Sequence, residues 1–183
     1  MNDLVMAGEG IRFDASLDKL AGLNPVTEGG VITAGNASQI TDGAAAVMVC
    51  NDAGLKKIQA NPRAEIVSIS VVGDDPVFML TGPIPASIKA LKSANLTIDD
   101  MDLYEVNEAF APVPLAWAED LKADRSKLNV NGGAMALGHP LGATGAKLMT
   151  TLLHEMERRE SMFGLQAICE GGGTANATII KRV

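Results

Sequence analysis

The chain has 183 residues, which suffices for one sizeable hydrophobic core and predicts one compact domain. Its formal net charge of −7 and aromatic content of 3% argue against nucleic acid as a partner, because phosphates need basic groups and unpaired bases need stacking platforms. The longest apolar run, residues 44–50, has seven residues, and no secretory signal pattern opens the chain, so we expect no membrane association. The two cysteines are expected to be free thiols in the cytoplasm, and they are too few for a cysteine-based metal site.

Residues 1–30 show no sustained hydrophobic period and end in a Thr-Glu-Gly-Gly turn. We interpret them as an irregular or extended lead-in that packs on other structure. Residues 31–183 are predicted to form the domain itself. Near its start, the apolar run 44–50 lies between turn residues and predicts a strand that is buried on both faces near the centre of a sheet.

The rest of the chain alternates between helix and strand patterns. Asn51 is a candidate cap for a helix over 51–60, and the spacing of apolar residues predicts the longest helix over 140–159. The other predicted elements are strand 65–72, helix 83–94, strand 101–106, helix 108–121, a strand fragment at 128–130, and strands 165–170 and 175–180. This alternation predicts an α/β sandwich, with a mixed five-stranded sheet covered by helices.

One of the two histidines, His139, lies in a glycine-rich turn, GHPLGATG at 138–145, directly before the longest predicted helix. Backbone amides and the helix dipole at such a helix start favour an oxyanion. The alternative is a tight strand-to-helix turn in which His139 bonds only to backbone, and this segment alone does not decide between the two. His154 falls in the middle of the helix, and we interpret it as a solvated structural residue.

Cys169 ends an apolar strand and is followed by three glycines, so backbone N–H groups can approach a bound carbonyl group there. This arrangement suits a nucleophile or an acid/base beside an oxyanion hole, whereas the alternative is a small buried hydrophobic residue. A carboxylate beside a thiol opposes formation of the thiolate, so we expect Glu170 to point to the opposite face of the strand. Cys50, inside the apolar run, is predicted to be buried and structural.

Asn107 follows a predicted strand and opens a helix, so its amide either caps that helix or faces a site at the carboxyl end of the sheet. Residues 35–38 form a joint of small residues that either admits a slender ligand or makes an ordinary turn. The sequence has no Walker, dinucleotide-binding, zinc-protease or EF-hand motif. Acyl chemistry is therefore the remaining candidate.

Taken in order, several segments of the sequence closely resemble motifs of the thiolase family. They are residues 33–38, 42–46, 82–86, 107–111, 129–145 and 169–173. The resemblance covers nearly the whole chain and corresponds to the C-terminal half of a thiolase. The half that carries the family's acylated nucleophilic cysteine has no counterpart here, so the resemblance implies an N-terminal thiolase half or chain as a partner.

The resemblance implies transfer of acyl groups to and from coenzyme A (CoA), by thiolytic cleavage of a 3-ketoacyl-CoA or by Claisen condensation of acetyl-CoA. It makes Cys169 the acid/base that deprotonates the acetyl-CoA methyl group or activates CoA. It makes His139 a donor to the thioester oxygen, with Asn107 holding the water that completes this oxyanion hole. The Gly171 N–H belongs to the other oxyanion hole. CoA or acyl-CoA is then a substrate, and no covalently bound cofactor is expected.

By the same resemblance, Ser38 falls where the family contacts pantetheine, Phe110 where it lines the acyl pocket, and Arg12 where some members touch the CoA nucleotide. A homo-oligomer is expected, because thiolases generally assemble as dimers or tetramers. Two alternatives remain open. The chain is either a truncated, non-catalytic CoA-binding or assembly domain, or a minimal dyad in which Cys169 itself is acylated beside His139.

Some positions depart from the commoner family pattern. Glu170 stands where most thiolases carry an apolar residue, and Thr174-Ala175 follows the glycine run. Leu141 and Thr144 make the histidine motif more similar to the degradative, ketoacyl-cleaving branch. These departures concern the substrate and leave the expected fold unchanged.

Overall fold

The structure, a computed structural model, describes residues 10–183, so positions 1–9 of the predicted lead-in lie outside the described residues. Within residues 10–30 one short helix, α1 (Leu17–Ala21), begins after Ser16, whose Oγ accepts a hydrogen bond from the Lys19 N–H at 3.3 Å. None of the residues of α1 is buried. No helix within residues 10–183 is long and apolar enough to cross a membrane.

Most of the helices and strands that follow agree closely with the predicted ones, whereas the short helix over residues 134–137 was not predicted. They are α2 (Asp52–Ile58), β1 (Ala64–Gly73), α3 (Pro83–Ala94), β2 (Leu103–Val106), α4 (Pro112–Leu121), α5 (Ala134–Leu137), α6 (Thr144–Arg159), β3 (Phe163–Cys169) and β4 (Thr174–Arg182). The predicted cap of α2 is confirmed, since Asn51 Oδ1 accepts a hydrogen bond from the Gly54 N–H at 3.0 Å. Helix α4 begins later than predicted because Pro112 is favoured in a first turn, where no N–H is needed.

The predicted buried strand over residues 44–50 is wrong. This run is exposed and forms no strand, with Met48 and Val49 exposed by 76% and 70%. A strand needs a neighbouring backbone for its hydrogen bonds, and no strand of the described chain pairs with this run. Cys50 is exposed too, so its predicted burial is also wrong, because apolar neighbours in sequence bury a side chain only where another layer covers them.

The predicted strand fragment at 128–130 is also wrong, because a side chain takes the place of the strand there. Leu128 forms only an isolated bridge with Tyr104. Asn129 Oδ1 then accepts a hydrogen bond from the Val106 N–H, and Asn129 Nδ2 donates one to the Val106 carbonyl, both at 2.9 Å. The amide of Asn129 thus satisfies the edge of β2 as a neighbouring strand would.

The four strands form one mixed sheet in the order β1-β4-β3-β2. Strand β4 runs antiparallel to β1 and β3, whereas β3 runs parallel to β2. The predicted α/β fold with a mixed, helix-covered sheet is confirmed, but within residues 10–183 the sheet has four strands instead of five because the 44–50 run does not join it. Since β2 and β3 are parallel neighbours, their carboxyl ends meet at one edge of the sheet.

Helices cover both faces of this sheet. On one face Trp117 of α4 meets Tyr104 of β2 edge to face, with ring centroids 5.2 Å apart. The Trp117 Nε1–H donates to Ser87 Oγ of α3 at 2.8 Å, so its single polar atom is satisfied in the core. On the other face Leu152 of α6 packs against Leu103 of β2. This packing fixes the start of α6 beside the ends of the parallel strands.

Candidate active site

Asn107 lies at the shared edge where β2 and β3 end, between two other residues that the sequence singled out. Its backbone N–H donates to the Ala167 carbonyl at 3.0 Å, which continues the β2–β3 pairing by one residue. Its side chain is 1% exposed, and a hydrogen bond from it lowers the pKa of the Cys169 thiol. Its amide nitrogen, Nδ2, lies 3.4 Å from His139 Nε2. One buried amide therefore contacts both Cys169 and His139.

His139 is held by its backbone and by both ring nitrogens. Its N–H donates to the Gln39 carbonyl at 2.8 Å, which fastens the loop to the segment around residue 40. Nε2 faces Asn107, and Nδ1 lies 2.6 Å from the hydroxyl of Thr144. Burial, and secondarily the charge of Lys147, lower the pKa of His139 below its ordinary value. The ring is therefore neutral near pH 7 and is engaged by side chains, not by backbone alone.

Cys169 is buried at the end of β3, and its thiol is protonated at neutral pH. Burial is the main cause that raises its pKa, and the nearby charge of Glu170 adds to it. Hydrogen bonds to the backbone and to Asn107 act in the opposite direction. Glu170 itself is exposed and accepts a hydrogen bond from Asn176 Nδ2 at 2.5 Å, so its carboxylate is bound away from the thiol. In this state Cys169 has a proton to give.

The loop before His139 is tied down by residues that sequence reasoning missed. Glu108 accepts hydrogen bonds from Asn129 Nδ2 at 2.9 Å and from the Met135 N–H at 3.1 Å. Lys147, one turn into α6, donates to the Gly138 carbonyl at 2.7 Å. Neither residue carries a sequence signal beyond its place in the segments that contain Asn107 and His139. Both act by positioning the loop and not by facing the thiol.

The glycine run after Cys169 makes a tight turn against the loop that joins β1 to α3. Gly173 has a φ of 83°, and a Cβ there would lie 2.6 Å from the Asp74 carbonyl oxygen, so only glycine fits. The Gly172 N–H lies 3.3 Å from the sulfur of Met79, a residue that the sequence reading missed. Gly171, by contrast, is exposed and has open space around the position of a Cβ. A ligand can approach the backbone at Gly171.

The three predicted CoA-contacting residues divide into two groups. Ser38 and Phe110 lie on two short segments that pair antiparallel, with the Ser38 N–H donating to the Ala109 carbonyl at 3.0 Å. Both residues are half-buried. Arg12 is exposed and lines a cavity of about 770 Å³ beside Gly138 and Lys147. That cavity is not lined by Cys169 or Asn107, so the structure does not bring Arg12 to the thiol.

Family descriptions match most of the chain. "Thiolase, C-terminal domain" matches residues 60–182, and "Thiolase, N-terminal domain" matches residues 1–53. The steroid 3-ketoacyl-CoA thiolase FadA6 of Mycobacterium tuberculosis is 59% identical over 96% of this chain and 43% of its own length. The acetyl-CoA acetyltransferase of Cupriavidus necator is 47% identical over 95% of this chain and 44% of its own length. The chain thus spans less than half the length of these relatives.

Solved structures share the fold. The acetyl-CoA acetyltransferase of Bacillus anthracis superposes with a TM-score of 0.91 at 43% identity, over 96% of this chain and 45% of that chain. The human mitochondrial 3-ketoacyl-CoA thiolase in complex with CoA superposes with a TM-score of 0.88 at 46% identity, over the same shares of the two chains. The family matches and the shared fold together show that the chain belongs to the thiolase family.

Proposed function

We propose that this chain supplies the acid/base cysteine and one oxyanion hole of a thiolase active site, which transfers acyl groups to and from CoA. The observation that carries the proposal is the buried amide of Asn107, which contacts both the Cys169 thiol and the His139 ring. If Cys169 and His139 were only structural, nothing would require both to contact the same polar group at the open edge of the sheet. A general acid/base and an oxyanion hole, in contrast, must lie close together around one substrate.

The protonated thiol of Cys169 fits the cleavage of a 3-ketoacyl-CoA. A nucleophilic cysteine outside this chain attacks the 3-keto carbon, the bond between C2 and C3 breaks, and Cys169 gives its proton to the departing C2 of acetyl-CoA. The Cys169 thiolate then takes the proton of a CoA thiol, whose sulfur attacks the acyl group on the nucleophile and releases it as a shortened acyl-CoA. Cys169 ends protonated, as it began, and the reverse sequence is the Claisen condensation.

The two oxyanion holes use different groups. In the first, His139 and a water held by Asn107 face the thioester oxygen, whose negative charge grows as the C2–C3 bond breaks. In the second, the Gly171 N–H faces the oxygen of the tetrahedral intermediate on the nucleophilic cysteine. The open surroundings of Gly171 support this second role. The tethering of His139 through Gln39 and Thr144 supports the first, because an oxyanion hole must be rigid to be effective.

CoA is the proposed carrier of the acyl group. Ser38 and Phe110 lie on paired segments of half-buried backbone, which supports their assignment to the pantetheine arm and the acyl pocket. Arg12 is assigned to the CoA nucleotide. Arg12 lines a cavity away from the thiol, as expected if the long CoA molecule extends from Cys169 toward that cavity. The identity of the acyl group follows from none of these contacts.

A complete site needs a second polypeptide segment in this proposal. FadA6 and the acetyltransferase of Cupriavidus necator are each more than twice as long as their segment that aligns with this chain. The exposed run 44–50 falls within the match to the N-terminal domain, so we infer that the rest of that domain covers it in the complete enzyme. We further propose that the complete enzyme is a homo-oligomer in the cytoplasm.

A non-catalytic domain that only binds CoA or assists assembly is the second candidate, and the short span relative to the relatives favours it. The minimal dyad with an acylated Cys169 has less support. Its thiol would have to ionise against the burial that raises its pKa. The three readings differ in whether activity needs a second segment and in which cysteine carries the acyl group.

The test combines this chain with the segment of FadA6 that lies outside the aligned region, produced in the same cells. Thiolysis of acetoacetyl-CoA is then compared for the unaltered chain, C169A, H139A and C50A. We expect C169A and H139A to lower kcat by about 100-fold or more, the usual weight of a general acid/base group. C50A is the control for loss of a thiol, since Cys50 is exposed and outside the site. Because Cys50 belongs to the run that we infer is covered in the complete enzyme, kcat is compared per assembled complex, and C50A should retain it.

The alternatives give different outcomes. Full activity of C169A in an active complex would overturn the role of Cys169. A stable complex that binds CoA without turnover would favour the non-catalytic domain. Activity of this chain alone, with an acyl group mapped to Cys169 by peptide mass spectrometry, would favour the dyad.

A further inference from the structure

Met79, in the loop that joins β1 to α3, has a backbone conformation that is uncommon for a residue with a side chain. Its φ is 55°, in the left-handed region. Among residues 10–183, six non-glycine residues have a positive φ, and four of them end helices, where this conformation is common: Gln59, Asn95, Lys122 and Glu160. Asn129 is the fifth, and its short polar side chain tolerates the conformation. Met79 has neither reason.

Hydrogen bonds within the loop hold Met79 in this conformation. Its N–H donates to the Asp75 carbonyl at 2.7 Å, which closes a single helical turn. The Asp75 carboxylate accepts hydrogen bonds from the N–H groups of Val77 and Phe78, at 2.7 and 3.1 Å. The Thr81 hydroxyl donates to Asp74 at 2.8 Å. A strained residue persists only where its surroundings hold it in this way, and such residues cluster at functional sites.

The loop contacts the glycine turn after β3 at two points. The Asp74 N–H donates to the Gly173 carbonyl at 2.7 Å, and the Gly172 N–H lies 3.3 Å from Met79 Sδ, a weak acceptor. Because a peptide is planar and trans, a Gly172 N–H that points to Met79 turns the Gly171 carbonyl to the opposite side. Glycines do not hinder rotation of this peptide. The bond to the sulfur therefore favours one of its orientations.

The peptide that carries the Gly171 N–H lies between two anchored peptides. On one side the Glu170 N–H donates to the Thr174 carbonyl at 2.8 Å, and on the other the Gly172 N–H is bound to Met79. Gly171 itself is exposed, with open space around the position of a Cβ. A donor that is open to a ligand while both of its neighbours are held suits an oxyanion hole, which must be set before the charge develops.

We propose that Met79 is a positioning residue, whose sulfur holds the Gly171–Gly172 peptide and so directs the Gly171 N–H toward the oxyanion of the tetrahedral intermediate. This consequence for catalysis rests on the proposed thiolase function. The tether between Met79 and Gly172 does not depend on which reaction the site performs.

Two substitutions separate the acceptor from the packing of the side chain. M79L removes the sulfur but keeps a side chain of similar volume. M79Q restores an acceptor, its side-chain carbonyl oxygen, on a side chain of similar length. An acceptor role predicts that M79Q behaves like the unaltered chain, whereas a packing role predicts that M79L does. M162L is the control, since Met162 is an exposed methionine at the opposite end of β3.

Amide hydrogen exchange of Gly172, followed by NMR in the 183-residue chain, measures the tether. We expect exchange in M79L to be about 2- to 10-fold faster, the weight of one hydrogen bond. M79Q and M162L should leave it unchanged. Unchanged exchange in M79L, or faster exchange in M79Q than in M79L, would overturn the tether. If M79L does not fold, M79A takes its place, because it removes the acceptor from a half-buried loop position without adding bulk.

Thiolysis of acetoacetyl-CoA by the complex with the unaligned FadA6 segment measures the consequence. M79L should lower kcat by about 3- to 10-fold, less than the loss of a whole oxyanion donor, and leave KM unchanged. M79Q should restore kcat. An active complex in which M79L keeps its kcat would overturn the positioning role. If the unaltered complex assembles without turnover, the proposed function fails and the catalytic role with it, whereas Gly172 exchange still decides the tether.

Discussion

Glu105 is a carboxyl group in the core between β2 and α6, where it is 1% exposed. Burial, with the charges of Glu108 and Glu155 as smaller causes, raises its pKa from 4.5 to about 8, against the opposing charge of Lys147. Its Oε2 has no hydrogen-bond partner among residues 10–183, and the same is true of Oε1 of Gln166, its register partner on β3. Both oxygens are acceptors without a donor, and a protonated Glu105 carries a hydrogen that can be donated. The folded chain therefore keeps the carboxyl group of Glu105 neutral near pH 7.

The pH dependence of stability follows from that shift. The folded chain holds the proton up to about pH 8, whereas the unfolded chain releases it near its ordinary pKa of 4.5. Unfolding therefore releases a proton between these values, and the free energy of unfolding falls by up to about 1.4 kcal/mol per pH unit as the pH rises. E105Q cannot ionise, so its free energy of unfolding lacks this pH dependence. Relative to the unaltered chain, the free energy of unfolding of E105Q should therefore rise by about 2 to 3 kcal/mol when the pH is raised from 5.5 to 8.

Urea unfolding of both chains at the two pH values measures this difference. E65Q is the control, since Glu65 is an exposed residue of β1. A difference between E105Q and the unaltered chain that stays constant with pH would contradict the assignment of a neutral Glu105.

At the scale of elements, the loop from Asn129 to His139 decides how the site is held. Asn129 completes the edge of β2, and Glu108 binds both Asn129 and the Met135 N–H. The loop therefore joins β2, which ends one residue before Asn107, to the helix that begins at Thr144. His139 keeps its distance to Asn107 only while these bonds persist.

G133A tests this connection. A Cβ on Gly133 would lie 2.1 to 2.4 Å from the carboxyl group of Glu108, so the carboxylate must move and lose its bonds to Asn129 and Met135. We expect the free energy of unfolding to fall by about 1 to 3 kcal/mol. G142A is the matched control, with open space around its Cβ and an expected change within about 0.5 kcal/mol. Equal stability of the two variants would show that the tether contributes nothing.

At the scale of the whole molecule, part of the sheet lacks a cover within residues 10–183. Strand β1 is an edge strand, and Ile69 and Val71 on it are 60% and 57% exposed. The run 44–50 is exposed as well and borders a cavity of about 430 Å³ together with α6. Exposed apolar side chains that are grouped in this way are typical of a docking surface.

We expect the combined variant I69S and V71S to weaken binding of the unaligned FadA6 segment. Each side chain should contribute about 1 to 2 kcal/mol, so the Kd should rise by about 30-fold or more. Sedimentation velocity of the mixture measures the change, and circular dichroism checks that the fold is retained. V183S replaces a valine of similar exposure, 59%, at the chain end. An equal effect of V183S would argue against a specific role for β1.

Much of the local structure could be predicted because its causes are local. Pro83 and the amphipathic run after it predict α3 with its observed bounds, and Asn51 predicts its own cap. The sequence also singled out Asn107, His139 and Cys169, since each stands at a joint between elements. Their proposed roles stay predictions, although the structure brings the three side chains together.

What the sequence by itself determined is the order of helices and strands, the family and the residues that can carry chemistry, because these follow from neighbours along the chain and from motifs. Only the tertiary structure decided that residues 44–50 are exposed, that Asn129 replaces a strand, that Glu105 is neutral and that Thr144 faces His139. Burial, charge state and hydrogen-bond partners depend on groups distant in sequence. A local sequence pattern does not indicate which residue from a distant part of the chain will pack against a given side chain in the folded protein.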